Sequence, residues 1–174
     1  MVDRPGNLRI LQVGCGTSGL AEGLWSDGFR DICNIDLCAS AVHGMASRWA
    51  SLVSQVEDAA EAEAMRGGMR WLQMDATNLD GLESGSFDLV LEKNTLDCIL
   101  GIAHRKDSQR GLAALREFYR ILAPGGLFMS VAYVETFAEA ERMALLHEGC
   151  FREVKSQRLG TGGRGEPLLY MCRK

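Results

Sequence analysis

The chain has 174 residues, 47% of them apolar and 24% charged, with a formal net charge of −4. That is room for one domain with a sizeable core and an ordinary globular balance. The mild acidity gives no electrostatic footprint for duplex DNA or RNA, no apolar run nears the ~20 residues of a membrane span, and Met1–Asn7 is polar, with no apolar stretch of the signal-peptide kind.

The elements follow from hydrophobic pattern and turn chemistry. Leu8–Val13 (LRILQV) is a short apolar run ending in glycines, a buried parallel strand. Gly14–Gly19 (GCGTSG) is a turn, and Leu20–Gly28 a helix that stops at Asp27-Gly28. Ile32–Asp36 is a second strand. Ala39–Val56 is a helix with Val42, Met45, Trp49, Leu52, Val53 and Val56 on one face. Glu57–Gly68 has few large apolar residues and reads as a helix extension or an exposed insertion. Met69–Met74 and Phe87–Leu91 are the third and fourth strands. Ser108–Leu122 is a helix with Leu112, Leu115, Phe118, Tyr119 and Leu122 as its stripe, ended by Pro124-Gly125-Gly126. Leu127–Val134 is a fifth strand and Glu135–Glu148 a helix. Phe151–Leu159 and Leu168–Arg173, joined by the glycine-rich Gly160–Glu166, form an antiparallel pair because no helix intervenes. Trp25, Trp49 and Trp71 lie on apolar stripes and are expected to pack.

Strands alternating with helices predict a Rossmann-like α/β fold, a doubly wound seven-stranded sheet, mostly parallel with an antiparallel C-terminal hairpin. One domain is the economical reading. In such sheets ligands bind beyond the carboxyl ends of the strands, so the residues that follow each strand are the ones to weigh. The six cysteines show no CxxC spacing and the three histidines are scattered, so no metal site is expected. The thiols are expected to be reduced and buried, in an intracellular protein.

After the first strand, Gly14, Cys15, Gly16 and Ser18 belong to a GxGxxG turn, where the backbone passes close to a ligand. This motif suits a dinucleotide pyrophosphate or the amino-acid part of S-adenosylmethionine; the bland alternative is a glycine turn. Asp36, with Leu37 beside it, ends the second strand, where a carboxylate accepts ribose hydroxyls or else caps the next helix. Asp75 and Ala76 follow the third strand. In methyltransferases an acid here accepts from the adenine amino group while the next amide meets a ring nitrogen, and the terminal hairpin points the same way. An NAD-dependent oxidoreductase explains Gly14–Gly19 and Asp36 but leaves the runs around Asp75 and Glu92 unexplained.

The segment Phe87–Leu100 (FDLVLEKNTLDCIL) resembles the FDxVxxKGTLDAxL stretch of eukaryotic methyltransferase-like lysine methyltransferases, a group that includes enzymes acting on elongation factor 1A and on citrate synthase. Ile10–Leu20, Ile32–Asp36, Trp71–Ala76 and Ile121–Gly126 look like the same group. The resemblance implies an S-adenosylmethionine-dependent enzyme whose partner is a protein carrying a lysine, in the cytoplasm or in mitochondria. Asn94 stands where the family usually has Gly; if that position is left-handed, Asn is the least costly replacement. Gln12 occupies a place that is acidic in many methyltransferases. The family normally carries some tens of residues before its first strand, so an upstream segment is expected to be lacking.

Methyl transfer to a lysine needs alignment, and loss of the ammonium proton. Glu92, after the fourth strand, is expected to line the cofactor or guide the ammonium, with Asn94 and Tyr133 also at the catalytic position. Asn94 or Thr95 is expected to cap the next helix and Asp97 to stabilise its positive end. Two other functions use the same cofactor residues: a small-molecule methyltransferase, and a cofactor-binding interaction module without catalysis. The Asn/Asp-Pro-Pro-Tyr/Phe motif of nucleic-acid amino-methylating enzymes is absent from the sequence, and no nucleic-acid or membrane partner is expected.

Overall fold

A computed structural model of the chain describes residues 8–101, 108–133, 139–160 and 166–174. The chain divides into two compact units, Met1–Ala76 and Thr77–Lys174. The seven-stranded mixed sheet runs β3-β2-β1 in the first and β4-β5-β7-β6 in the second, the mostly parallel sheet that the sequence predicts.

The first unit holds β1 (Arg9–Val13), α1 (Leu20–Ser26), β2 (Asp31–Asp36), α2 (Ala39–Ser54), α3 (Ala59–Gly68) and β3 (Met69–Gln73). Its strands are all parallel, with Ile10 opposite Ile32 and Asn34 opposite Trp71. β1 and β2 are buried on both faces, which is why they read as mainly apolar, each with one buried polar residue, Gln12 and Asn34. α2 turns Val42, Met45, Trp49 and Val53 inward. Trp49 lies edge-on to Trp25 at 5.5 Å and donates its indole N–H to the Met65 carbonyl at 3.1 Å. Leu52, expected on the same face, is instead exposed; helical twist carries it past the narrow seam.

Glu57–Gly68 is largely exposed, as expected, but it forms a helix of its own rather than an extension of α2. α2 stops at Ser54, and Asp58 starts α3 by accepting from the amides of Ala60 and Glu61. That is an N-cap of the ordinary kind, and Ala62 and Met65 supply the buried side.

The second unit holds β4 (Phe87–Lys93), α4 (Thr95–Leu100), α5 (Ser108–Ile121), β5 (Leu122–Tyr133), α6 (Glu139–Glu148), β6 (Glu153–Arg158) and β7 (Pro167–Arg173). β4 and β5 are parallel; β7 pairs antiparallel with both β5 and β6, so the predicted hairpin is present. β4 outruns its expected end at Leu91 by two residues, which takes Glu92 and Lys93 into the strand. Pro124-Gly125-Gly126 does not separate helix from strand. It lies within β5, where the pairing jumps from Phe87–Leu122 to Leu89–Leu127 and the extra residues bulge out. Residue 134 of the expected Leu127–Val134 strand, residues 135–138 of the expected Glu135–Glu148 helix and residues 161–165 of the expected Gly160–Glu166 loop lie outside the described residues. The core gathers Phe118, Phe128 and Phe151, with Phe128 stacked on Phe151 at 5.4 Å.

Of the cysteines, Cys15, Cys33 and Cys172 are buried, whereas Cys38, Cys98 and Cys150 are exposed. The expectation of buried thiols therefore holds for half of them. Cys38 follows a strand end, and Cys98 lies on the outer side of α4. No group of metal-ligating side chains occurs among the described residues.

Candidate functional site

In the first unit the carboxyl ends of the three parallel strands lie along one edge, and Asp36 ties them together. Its Oδ2 accepts from the Gly16 amide at 2.8 Å and its Oδ1 from the Cys38 amide at 2.8 Å. The Asp36 carbonyl accepts from the Met74 amide at 3.0 Å, the residue before Asp75. The Cys15 amide donates to the Ile35 carbonyl at 3.0 Å, and the Gln73 side chain to the Leu37 carbonyl at 3.2 Å. Glycine bend, β2 tip and β3 tip thus converge as the sequence predicts. Asp36 serves both as turn anchor at Cys38 and as clamp on the glycine bend; it is half-buried, and a carboxylate can accept more than these two bonds.

The bend itself is left-handed at Gly14 (φ +63°) and Gly16 (φ +51°). A Cβ built on Gly16 meets no atom within 4 Å, so the chain leaves open space against that backbone. Leu37 presents an apolar side chain that is 62% exposed, a surface suited to a flat ring. Asp75 is half-buried and Ala76 buried at the β3 tip. Cys15 can offer a ligand only its backbone: the thiol is enclosed, and burial, then the Asp36 charge, push its pKa up to about 11. The Ser18 hydroxyl is turned to the Leu20 amide at 3.3 Å, at the start of α1. Gln12, two residues before Gly14, is buried, and its Oε1 has no hydrogen-bond partner among the described residues.

In the second unit the catalytic candidates separate. Glu92 is fully enclosed. Its Oε2 accepts from the amides of Thr95 (2.8 Å) and Leu96 (3.1 Å), and its Oε1 from the Ser130 hydroxyl. Glu92 therefore supplies the side-chain acceptor for the first amides of α4; Asn94 holds the N-cap position, but its side chain makes no cap bond. Asn94 itself is left-handed, φ +62°, as the family's glycine at that place suggests, and its amide donates to the Val131 carbonyl at 2.9 Å. Asp97 stands in the first turn of α4, as expected, and also forms an ion pair with Arg142 at 3.0 Å. Tyr133, at the end of β5, is 42% exposed, a rim position open to solvent.

Arg142 of α6 and Ser130 of β5 escaped the sequence reading. Arg142 is buried, 3.7 Å from Glu92 Oε1, and donates to the Ser130 hydroxyl at 3.3 Å. Burial raises the pKa of both Glu92 and Asp97, and the Arg142 guanidinium opposes that rise. The signal for Arg142 is its place four residues before Leu146, on the buried side of α6; for Ser130 it is the alternation with buried Phe128 and Ala132.

A sheet with an antiparallel end, a glycine bend clamped by a strand-tip carboxylate and an acid at the next tip define a Rossmann-like nucleoside-binding enzyme. Residues 11–130 match the family described as methyltransferase domain, and the chain belongs to that family, with S-adenosylmethionine as methyl donor. It is 33% identical over 175 residues to EEF1A lysine methyltransferase 4 of Bos taurus, covering 95% of this chain and 60% of that protein. With the Mus musculus protein of the same name it shares 37% identity over 131 residues, 71% of this chain and 45% of that one. The chain thus spans about half the length of these relatives. Among solved structures, a SAM-dependent methyltransferase from Methanosarcina mazei superimposes with a TM-score of 0.73 at 19% identity, covering 97% of this chain and 93% of that one; this likeness concerns the fold.

The residues present fit the cofactor. The space open at Gly16 admits an amino-acid tail, the Asp36 carboxylate accepts hydroxyls, and exposed Leu37 with Asp75 and Ala76 offers an apolar face beside polar groups. When bound, S-adenosylmethionine supplies a methyl group on a good leaving sulfonium.

Proposed function

We propose that this methyltransferase modifies a lysine side chain of a protein, with elongation factor 1A as the first candidate acceptor. The supporting observation is the similarity to relatives named as EEF1A lysine methyltransferases, which in one case extends over 95% of this chain and so takes in the Glu92–Asp97 run. The family match at residues 11–130 draws on both units, which supports treating Met1–Lys174 as one methyltransferase domain.

On this reading Gly14, Gly16, Asp36, Leu37, Asp75 and Ala76 hold the donor, with Cys15 contributing backbone and Ser18 shaping the start of α1. Glu92 does not touch the acceptor through its carboxylate. It fixes the turn at Asn94, whose left-handed backbone sets the path of the chain after β4. Exposed Tyr133 is assigned to the acceptor side. The acceptor ammonium must shed its proton before attack, because only the free amine has a lone pair, and desolvation favours that loss.

The test is incubation with labelled S-adenosylmethionine and recombinant elongation factor 1A, followed by peptide mapping. Label on a lysine is the expected result. Label extracted only into a low-mass fraction would point to a small-molecule acceptor, and S-adenosylhomocysteine binding without any transfer to an interaction module.

A further inference from the structure

We propose that Arg142 is a positioning residue for methyl transfer, holding the Glu92 and Asp97 carboxylates so that the Lys93–Asn94–Thr95 turn keeps one geometry. This inference rests on the lysine-methylation reading above and adds a residue that lies outside the glycine bend and the strand tips.

One guanidinium nitrogen, Nη2, serves oxygens from three elements. It stands 3.0 Å from Asp97 on α4, 3.3 Å from the Ser130 hydroxyl on β5 and 3.7 Å from Glu92 on β4. The Ser130 hydroxyl accepts from Arg142 and donates to Glu92 Oε1. Glu92 Oε2 is thereby free to receive the amides of Thr95 and Leu96. Between them the chain passes through φ +62° at Asn94, a conformation that Asn adopts at lower cost than most L-residues but that its surroundings must still favour. The surroundings are this network, with the Asn94 amide on Val131.

Stability alone is a poor reason for such a cluster. Buried ion pairs are generally no better than well-packed apolar side chains, because desolvation offsets the attraction. Around the cluster stand Tyr170 and Cys172 of β7, with the Arg142 guanidinium 5.8 Å from the Tyr170 ring, and the Glu139–Arg158 pair of α6 and β6 at 3.8 Å. Arg142 is the cation that counters the burial of both acids. Without it both carboxyls take up protons at higher pH than before, and a neutral Glu92 is a weaker acceptor for the two turn amides.

The experiment compares Arg142→Met, Arg142→Lys and Ser130→Ala with the wild type. Thermal melting and S-adenosylhomocysteine calorimetry establish that each variant is folded with its donor site intact. Transfer is measured as kcat and KM on elongation factor 1A across pH 6–9, and as total label on the proteins of a cell extract. In R142M we expect kcat to fall at least tenfold at neutral pH, with KM and S-adenosylhomocysteine affinity within about threefold. The acid limb of kcat should move up by a pH unit or more, because the carboxyls must still ionise. R142K, which keeps the charge but not the placement of Nη2, should recover part of kcat. A folded R142M with wild-type kcat and acid limb would overturn the proposal. If R142M does not fold, the same result in S130A and R142K overturns it instead. A wild type that labels no protein would tell against lysine methylation rather than against Arg142. Amide exchange at Thr95 and Leu96 then decides: unchanged protection in R142M or R142K would sink the positioning role.

Discussion

Asp36→Ala separates the two duties of the strand-tip carboxylate. In the folded chain the side chain accepts two backbone amides, Gly16 from the glycine bend and Cys38 from the start of α2, each at 2.8 Å. The first bond is half-buried and the second exposed, so water replaces the second readily and the first poorly. A net hydrogen bond to a charged group contributes about 1.5–3 kcal/mol when well shielded and less when exposed; we expect about 2 kcal/mol for the two together. In a chain of this size that lowers Tm by about 4–8 °C. The donor site should lose more. If the same carboxylate also accepts ribose hydroxyls, S-adenosylhomocysteine binding weakens by a further ~1–3 kcal/mol, about 5- to 150-fold. Calorimetry well below the variant's Tm measures that loss apart from unfolding. Asp36→Asn, which keeps one acceptor oxygen and turns the other into a donor facing an amide, should fall between. A folded Asp36→Ala with wild-type S-adenosylhomocysteine affinity would leave Asp36 as a turn anchor and remove it from the site.

Gly16→Ala should act on binding more than on stability. A left-handed alanine costs about 1–2 kcal/mol, but its Cβ enters space that no chain atom fills, so calorimetry should show the larger loss. The exposed Cys38 thiol, whose pKa is lowered chiefly by the Ser40 hydroxyl, should alkylate well before Cys15, held up at about 11 by burial. Peptide mapping after a short iodoacetamide pulse checks the order, and equal rates would contradict the burial of Cys15. Asp97 has its folded pKa raised, first by burial, so its contribution to stability is fully present below the ordinary carboxylate range and is lost as pH rises through the folded value. The Tm of Asp97→Asn relative to wild type should therefore climb between pH 4 and pH 7; a falling difference would mean that the Arg142 attraction outweighs desolvation.

Legibility followed the range of the interactions. The parallel strands β1 and β2 are buried on both faces, so composition alone marks them, and the glycine bend and Asp36 sit where a strand must end. The left-handed Asn94 was legible because only Gly, Asn and Asp are cheap there. The start of α3 was written locally in Asp58, two and three residues before the amides it caps. It was overlooked because Ala62 and Met65 give that helix a faint apolar face. Pro124-Gly125-Gly126 misled for the opposite reason. Its local preference is to break structure, and it does break the ladder, but the parallel partner β4 resumes pairing beyond the bulge.

The role of Glu92 was the hardest to read, and the reason is physical. An acid at a strand tip is equally suited to face a ligand or to turn inward, and nothing within the Glu92–Asp97 run decides between them. What decides is a cation delivered from α6 and a hydroxyl from β5, both remote in sequence. Without Arg142 and Ser130, burial would be too costly for an ionised Glu92, which would take up a proton or turn to solvent. With them it can stay inside and spend its second oxygen on two turn amides. An outward-facing acid would make a mutation such as Glu92→Gln a direct loss of substrate contact; the enclosed one makes it a change in the shape of the Asn94 turn. The enclosed arrangement of Glu92 is thus tied to an arginine about fifty residues further along the chain.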